Sequence, residues 1–171
     1  MKMDPISTER LIIREFELSD VPAVHEYGSD PEVVAFMEWG PNELEDTEKF
    51  IKDQIARQEE VGRKIFEPAI TLKDSGVLIG GVGVTLENGV GIVGNCLNKK
   101  YWGQGYATEA TKAIMEWGRV QFGLTHFRAT CDVKNEASKR VLEKCGLKVV
   151  RKEERQVEVR GKWRDTYFLE N

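Results

Sequence analysis

The chain has 171 residues, 40% of them apolar and 32% charged, with a net charge of −4. That length suits one domain spanning residues 1–171, which buries roughly 70% of the surface its unfolded chain exposes. Mixed charge throughout excludes a general nucleic-acid binder, and the longest nearly apolar run, Val77 to Leu86, is interrupted by glycines and too short for the ~20 residues of a membrane span.

The start Met1-Lys2-Met3-Asp4-Pro5 turns polar at once and carries no export signal. Cys96, Cys131 and Cys145 form no CxxC pair, so neither a disulfide framework nor a metal site is expected. A cytoplasmic location follows as the expectation.

In chain order, Arg10 to Phe16 reads as a first strand, and Ser19-Asp20 caps a helix that carries Pro22 in its first turn and runs to about Gly28. Asp30-Pro31 restarts a helical turn through Val33, Val34 and Met37, which Trp39-Gly40-Pro41 breaks. Asn42 followed by Glu45 resembles a capping pair for a second helix, with Phe50, Ile51 and Ile55 inward and Gly62 as its stop. Strand periodicity then covers Ile65 to Leu72 and Val77 to Leu86, and Asn88-Gly89 signals a tight hairpin into Val90 to Leu97.

After Gly105 the apolar positions from Tyr106 to Val120 keep helical spacing until Gly123. Phe127, Ala129, Cys131 and Val133 alternate with polar residues as a half-buried strand. Strand, helix, strand implies a parallel crossover. Asn135 caps a further helix ending at Gly146, and a last hairpin turns near Arg160-Gly161.

The chemistry concentrates between Lys99 and Ala110. Gly103 and Gly105 can take conformations closed to other residues. The N–H groups from Gly103 and Gln104 through Gly105, Tyr106, Ala107 and Thr108 open a helix whose dipole favours an anion such as a pyrophosphate. A bare Gly-x-Gly is also what a simple strand-to-helix connection needs. No Gly-Lys-Ser/Thr follows for a P-loop, and Thr108 stands where a dinucleotide fingerprint wants its third glycine.

Here the sequence resembles the GNAT acetyltransferases, whose motif Gln/Arg-x-x-Gly-x-Gly/Ala falls on Trp102-Gly-Gln-Gly-Tyr-Ala107, with Trp at the first position. Thr8-Glu-Arg-Leu-Ile-Ile-Arg14, Ser29-Asp-Pro-Glu-Val33, Trp39-Gly40-Pro41 and Asn135 through Leu147 are similar to the branch of ribosomal-protein N-terminal acetyltransferases. The resemblance implies an α+β GNAT fold: a mixed, mostly antiparallel seven-stranded sheet with a parallel splayed pair, flanked by about four helices. It implies an acetyl-CoA-dependent N-acyltransferase that acetylates an amine by direct attack. Backbone groups of Asn95, Cys96 and Leu97 would hold the pantetheine arm and polarise the thioester. Asn135 would cap its helix, bond the arm, or do both. Ser138 would protonate the departing thiolate or be a plain helix residue.

Cys96 is either core packing or a transient acyl carrier. On the acceptor side Trp39 and Glu38 are candidate binding residues, and Glu158 and Glu43 join Glu38 as carboxylates with no spacing that singles out a general base. Lys99, Lys100, Lys139, Arg140 and Lys144 are candidates for the 3′-phosphate. Because an α-amine titrates near ~8 and a lysine amine near ~10.4, the missing base favours a protein N-terminus as acceptor. A polyamine or aminoglycoside is the second reading, and a catalytically silent CoA-binding sensor the third. Exposed sheet edges allow a homodimer.

Overall fold

The computed structural model describes Met1–Asn171. A single sheet of nine strand segments runs through it: β1 (Ile6–Ser7), β2 (Leu11–Arg14), β3 (Ile65–Phe66), β4 (Ala69–Leu72), β5 (Leu78–Glu87), β6 (Val90–Leu97), β7 (His126–Asp132), β8 (Lys148–Val159) and β9 (Lys162–Glu170). Their spatial order is β1-β2-β4-β5-β6-β7-β9-β8, with β3 beside β5. The helices are α1 (Val21–Gly28), α2 (Leu44–Arg57), α3 (Tyr106–Phe122) and α4 (Glu136–Lys144).

The expected seven strands become nine segments for local reasons. Residues 65–72 divide at Glu67-Pro68, where proline has no N–H to give a ladder, while the Pro68 carbonyl still accepts from Val82 at 3.1 Å. Two residues of the N-terminus add the short β1. The α2 cap also differs from the expected Asn42/Glu45 pair: the Asp46 carboxylate accepts from the Glu43 N–H at 2.9 Å, and the Asn42 N–H is spent on the Gly28 carbonyl at 2.9 Å.

Two apolar bodies flank the sheet. On one face α3 packs through Ala110, Ile114 and Met115 against Val82, Val93, Phe127 and Leu169. On the other, α1 and α2 bring Val24, Tyr27 and Ile51 against Phe16, Ala69 and Leu78. Burying each such side chain contributes about 1.5–3 kcal/mol.

All neighbours on the path are antiparallel except β6 and β7. That parallel pair is in register at only Val90/His126, Gly91/Phe127 and Ile92/Arg128. From Val93 onward β6 remains paired with β5 but not with β7. The two strands therefore part toward their C-terminal ends, and the helices that follow them, α3 and α4, both begin at that opening.

Candidate active site

The loop into α3 is shaped for an anion. Gly103 and Gly105 have φ of 72° and 83°, which only glycine adopts without strain. Gly105 is the N-cap and supplies no side-chain acceptor. As a result no backbone N–H from Gly103 through Thr108 donates to a protein group; the first in the helix to do so is Glu109, to the Gly105 carbonyl at 3.0 Å. Free, convergent donors at the positive end of a 17-residue helix fit a pyrophosphate well.

Arg10 braces this loop, a role its place at the start of the first expected strand did not signal. Its Nε donates to Glu109 at 2.7 Å, its Nη1 to the Gln104 carbonyl at 2.9 Å, and its guanidinium lies 4.3 Å from the Tyr106 ring centre. Burial works to raise the Glu109 carboxyl, but hydrogen bonds from Thr8 and Arg10 outweigh it and hold the group below its usual range. Three of the candidate 3′-phosphate cations are already engaged, Lys139 with Glu143 at 3.7 Å along α4. Lys99 bridges Asp30 at 2.7 Å and Glu32 at 3.3 Å, and Lys100 pairs with Glu26. They pin the loop to the α1 side.

The edge of β6 supplies the second part. The Asn95 amide donates to Thr111 on α3 at 3.1 Å, and the Leu97 carbonyl accepts from the Trp102 indole at 2.9 Å. Trp102, at the position where the GNAT motif has Gln or Arg, thus fixes the last residue of β6. Cys96 is half-buried on the opposite face, and burial pushes its thiol up to about 12. A thiol so protonated is a poor nucleophile at neutral pH.

Across the opening, the Asn135 Oδ1 accepts from the Ser138 N–H at 3.1 Å and caps α4. The Ser138 side chain is half-buried, one turn inside the helix that follows β7. Asn135 and Ser138 are therefore brought to the same end of the splayed pair as the N–H groups of α3.

The α1/α2 face carries a cleft of about 840 Å³ whose lining includes Tyr27, Trp39, Phe50, Gln54, Glu67 and the β6 edge from Ile92 to Cys96. Trp39 is exposed there. Glu38 is exposed but does not line the cleft, and Glu158 stands opposite Trp163 on the exposed part of β8, likewise away from the lining. The wall around Trp39 is held by a residue far away in sequence: Arg160, in the β8–β9 turn, donates to the carbonyls of Val34 at 2.9 Å and Gly40 at 2.8 Å, and reaches those of Ala35, Met37 and Trp39. Arg164 adds a bond to the Ala35 carbonyl at 2.7 Å.

No group of His, Cys, Asp and Glu side chains is placed to hold a metal ion, and no helix is long and apolar enough to cross a membrane.

Comparison with known proteins agrees with this geometry. The family model for the acetyltransferase (GNAT) domain matches residues 10–148. The chain is 32% identical to the N-acetyltransferase YnaD of Bacillus subtilis over 165 residues, covering 95% of this chain and 94% of that protein. A solved GNAT-family acetyltransferase from Bacillus anthracis is 30% identical with a TM-score of 0.87, covering 98% of both chains. The ribosomal L7/L12 alpha-N-protein acetyltransferase RimL shares the fold at 20% identity, with a TM-score of 0.86 over 98% of this chain and 93% of that one.

Proposed function

The chain belongs to the GNAT acetyltransferase family and is an acetyl-CoA-dependent N-acyltransferase, and we propose that its acceptor is the α-amine of a protein N-terminus. The observation that carries this reading is the state of the carboxylates lining the cleft. Asp53 is paired with Lys49 at 2.6 Å, Glu67 accepts from Gln54 at 2.6 Å and Arg57 at 2.9 Å, and Asp46 is spent on the α2 cap. None stands free to act as a strong base. An amine near ~8 gives up its proton to water at neutral pH, whereas one near ~10.4 needs a dedicated acceptor. Glu158, outside the cleft lining, does not change that balance. The fold likeness to RimL, an alpha-N-protein acetyltransferase, is in keeping with this reading.

In the mechanism we propose, the N–H groups from Gly103 through Thr108 hold the pyrophosphate. Main-chain groups of Asn95, Cys96 and Leu97 hold the pantetheine arm along the unpaired edge of β6 and polarise the thioester carbonyl. The neutral amine attacks directly from the α1/α2 side, where Trp39 forms part of the wall. Asn135 bonds the arm, Ser138 gives a proton to the sulfur as it leaves and is reprotonated from water, and the proton shed by the attacking nitrogen passes to water. The protonated Cys96 thiol favours direct transfer over an acyl-cysteine.

The test is thiol release with acetyl-CoA and a panel of tetrapeptides with free or blocked N-termini, a peptide with an internal lysine, spermidine and an aminoglycoside. Free α-amines should exceed the others in kcat/KM by about tenfold or more. A preference for spermidine or the aminoglycoside would overturn the reading in favour of a small-molecule acceptor.

A further inference from the structure

Gln54, in the lining of the cleft, is only 2% exposed, and its Oε1 is the one buried side-chain oxygen or nitrogen in the protein that no hydrogen bond satisfies. The single hydrogen bond of its side chain runs from Nε2 to Oε2 of Glu67 at 2.6 Å. Turning the amide over would set its oxygen against the carboxylate, so Glu67 dictates which way the amide faces. A buried orphan of this kind lowers stability, and a methionine would fill much the same space without one. The glutamine is accounted for by the carboxylate it holds in place.

Arg57 donates to the same Oε2 at 2.9 Å. Both donors thus hold one oxygen of Glu67, and no protein group donates to the other, Oε1. The side chain lies over the sheet, since a Cβ built on Gly83 would stand 3.0 Å from the Glu67 Cγ. Gly83 is the register partner of Gly94 on β6, one strand spacing of about 4.8 Å away, and a Cβ on Gly94 would meet nothing within 4 Å. Directly opposed residues of an antiparallel pair point to the same side, so open space over Gly94 separates Glu67 from the stretch of β6 that lacks a partner in β7. The other two carboxylates of the cleft stand differently: Asp53 is bound to Lys49 on the exposed flank of α2, and Asp46 serves the helix cap.

We infer that Glu67 binds the acceptor, its free Oε1 taking an N–H of the incoming amine over Gly94, and that Gln54 is the residue that positions it; this rests on the reading of the α1/α2 cleft as the acceptor side. An amine held by one N–H keeps its lone pair free for the thioester carbonyl at the β6 edge, and fixing that approach raises the rate of attack without binding the cofactor. The Arg57 guanidinium beside Glu67 offsets its charge, so the site offers a hydrogen-bond acceptor without the pull that a lone carboxylate exerts on an ammonium ion. Glu67 holds its N–H through the attack, and the proton that the nitrogen sheds passes to water.

The experiment measures Glu67→Ala and Gln54→Met with a free-N-terminus tetrapeptide and with propylamine as acceptors. Glu67→Ala should lower kcat/KM for both amines by about tenfold or more, as for a lost hydrogen bond to a charged group, with acetyl-CoA Kd within about twofold of wild type. Gln54→Met should lower kcat/KM several-fold while Tm stays level or rises, because the orphaned oxygen is removed with the amide; a glutamine that served only the fold would lower Tm and leave kcat/KM alone. A Glu67→Ala enzyme within twofold of wild type in kcat/KM, or one whose loss is matched by weaker acetyl-CoA binding, overturns the inference, as does a Gln54→Met enzyme with unchanged kcat/KM. If wild type acetylates propylamine but no peptide, the proposed N-terminal acceptor fails by itself, and Glu67 is judged on propylamine by the same tenfold criterion.

Discussion

The indole Nε1 of Trp102 donates to the main-chain carbonyl of Leu97 at 2.9 Å, tying the end of the unpaired β6 edge to the loop that opens α3. Trp102→Phe keeps an aromatic ring and removes that donor. We expect acetyl-CoA Kd to rise by roughly three- to tenfold, as for the loss of one neutral hydrogen bond, with little change in acceptor KM. Titration calorimetry with acetyl-CoA checks this; an unchanged Kd would mean that the β6 end holds its position unaided.

Asn135 and Ser138 share one hydrogen bond but should separate in their kinetics. Asn135→Ala loses the α4 cap, at about 1 kcal/mol, and should lower Tm by about 2–4 °C while weakening acetyl-CoA binding. Ser138→Ala should leave both nearly intact and lower kcat and kcat/KM together by about 10²-fold, the pattern of a group needed only in the transition state. Full kcat in Ser138→Ala would remove it from the chemistry.

Arg160 closes the acceptor wall without touching the cofactor side. Arg160→Ala frees the carbonyls of Val34 and Gly40 and should loosen the Trp39 segment, raising acceptor KM several-fold while acetyl-CoA Kd stays constant. Trp39→Ala should show the same division. Steady-state kinetics with each substrate varied in turn distinguishes this from general destabilisation, which would depress both.

Alkaline pH should destabilise the fold. Burial raises Cys96 to about 12 and Cys131 to about 11, and raises Tyr27 well above its ordinary value. The native state then keeps protons that the unfolded chain gives up from about pH 8.5 upward. Because the native state binds more protons in that window, stability falls as pH rises, and the contribution is fully present only below the unfolded values. Urea midpoints at pH 7, 9 and 10.5 should decline in that order, with a shallower decline in Cys96→Ala. Equal midpoints would contradict the burial of these groups.

Local order was readable from the sequence where one element carried its own signals. The periodicity from Tyr106, the stop at Gly123 and the Asn88-Gly89 turn all match observed elements. The α2 cap was misplaced by one residue because Asn42, Glu43, Glu45 and Asp46 all suit a helix start, and only the backbone path to Gly28 decides among them. The point where β6 leaves β7 has no local signature, since both strands keep their alternation beyond Ile92 and Arg128. The residues that escaped notice act across long stretches of chain: Arg10 on Gln104 and Glu109, and Arg160 on residues 34–40. A lone arginine looks alike in sequence whether it packs, braces or binds.

The anion loop is written almost entirely in main chain, so its recognition is indifferent to most of the side chains it carries. A saturation scan of residues 103–108 should therefore score Gly103 and Gly105 by the torsion angles they permit and leave the exposed Gln104 tolerant of nearly any replacement. Under selection, such a loop can drift in composition while its grip on the donor persists. The cleft beyond β6, built from side chains, is where descendants of this protein would diverge toward new acceptors without first relearning how to hold the old cofactor.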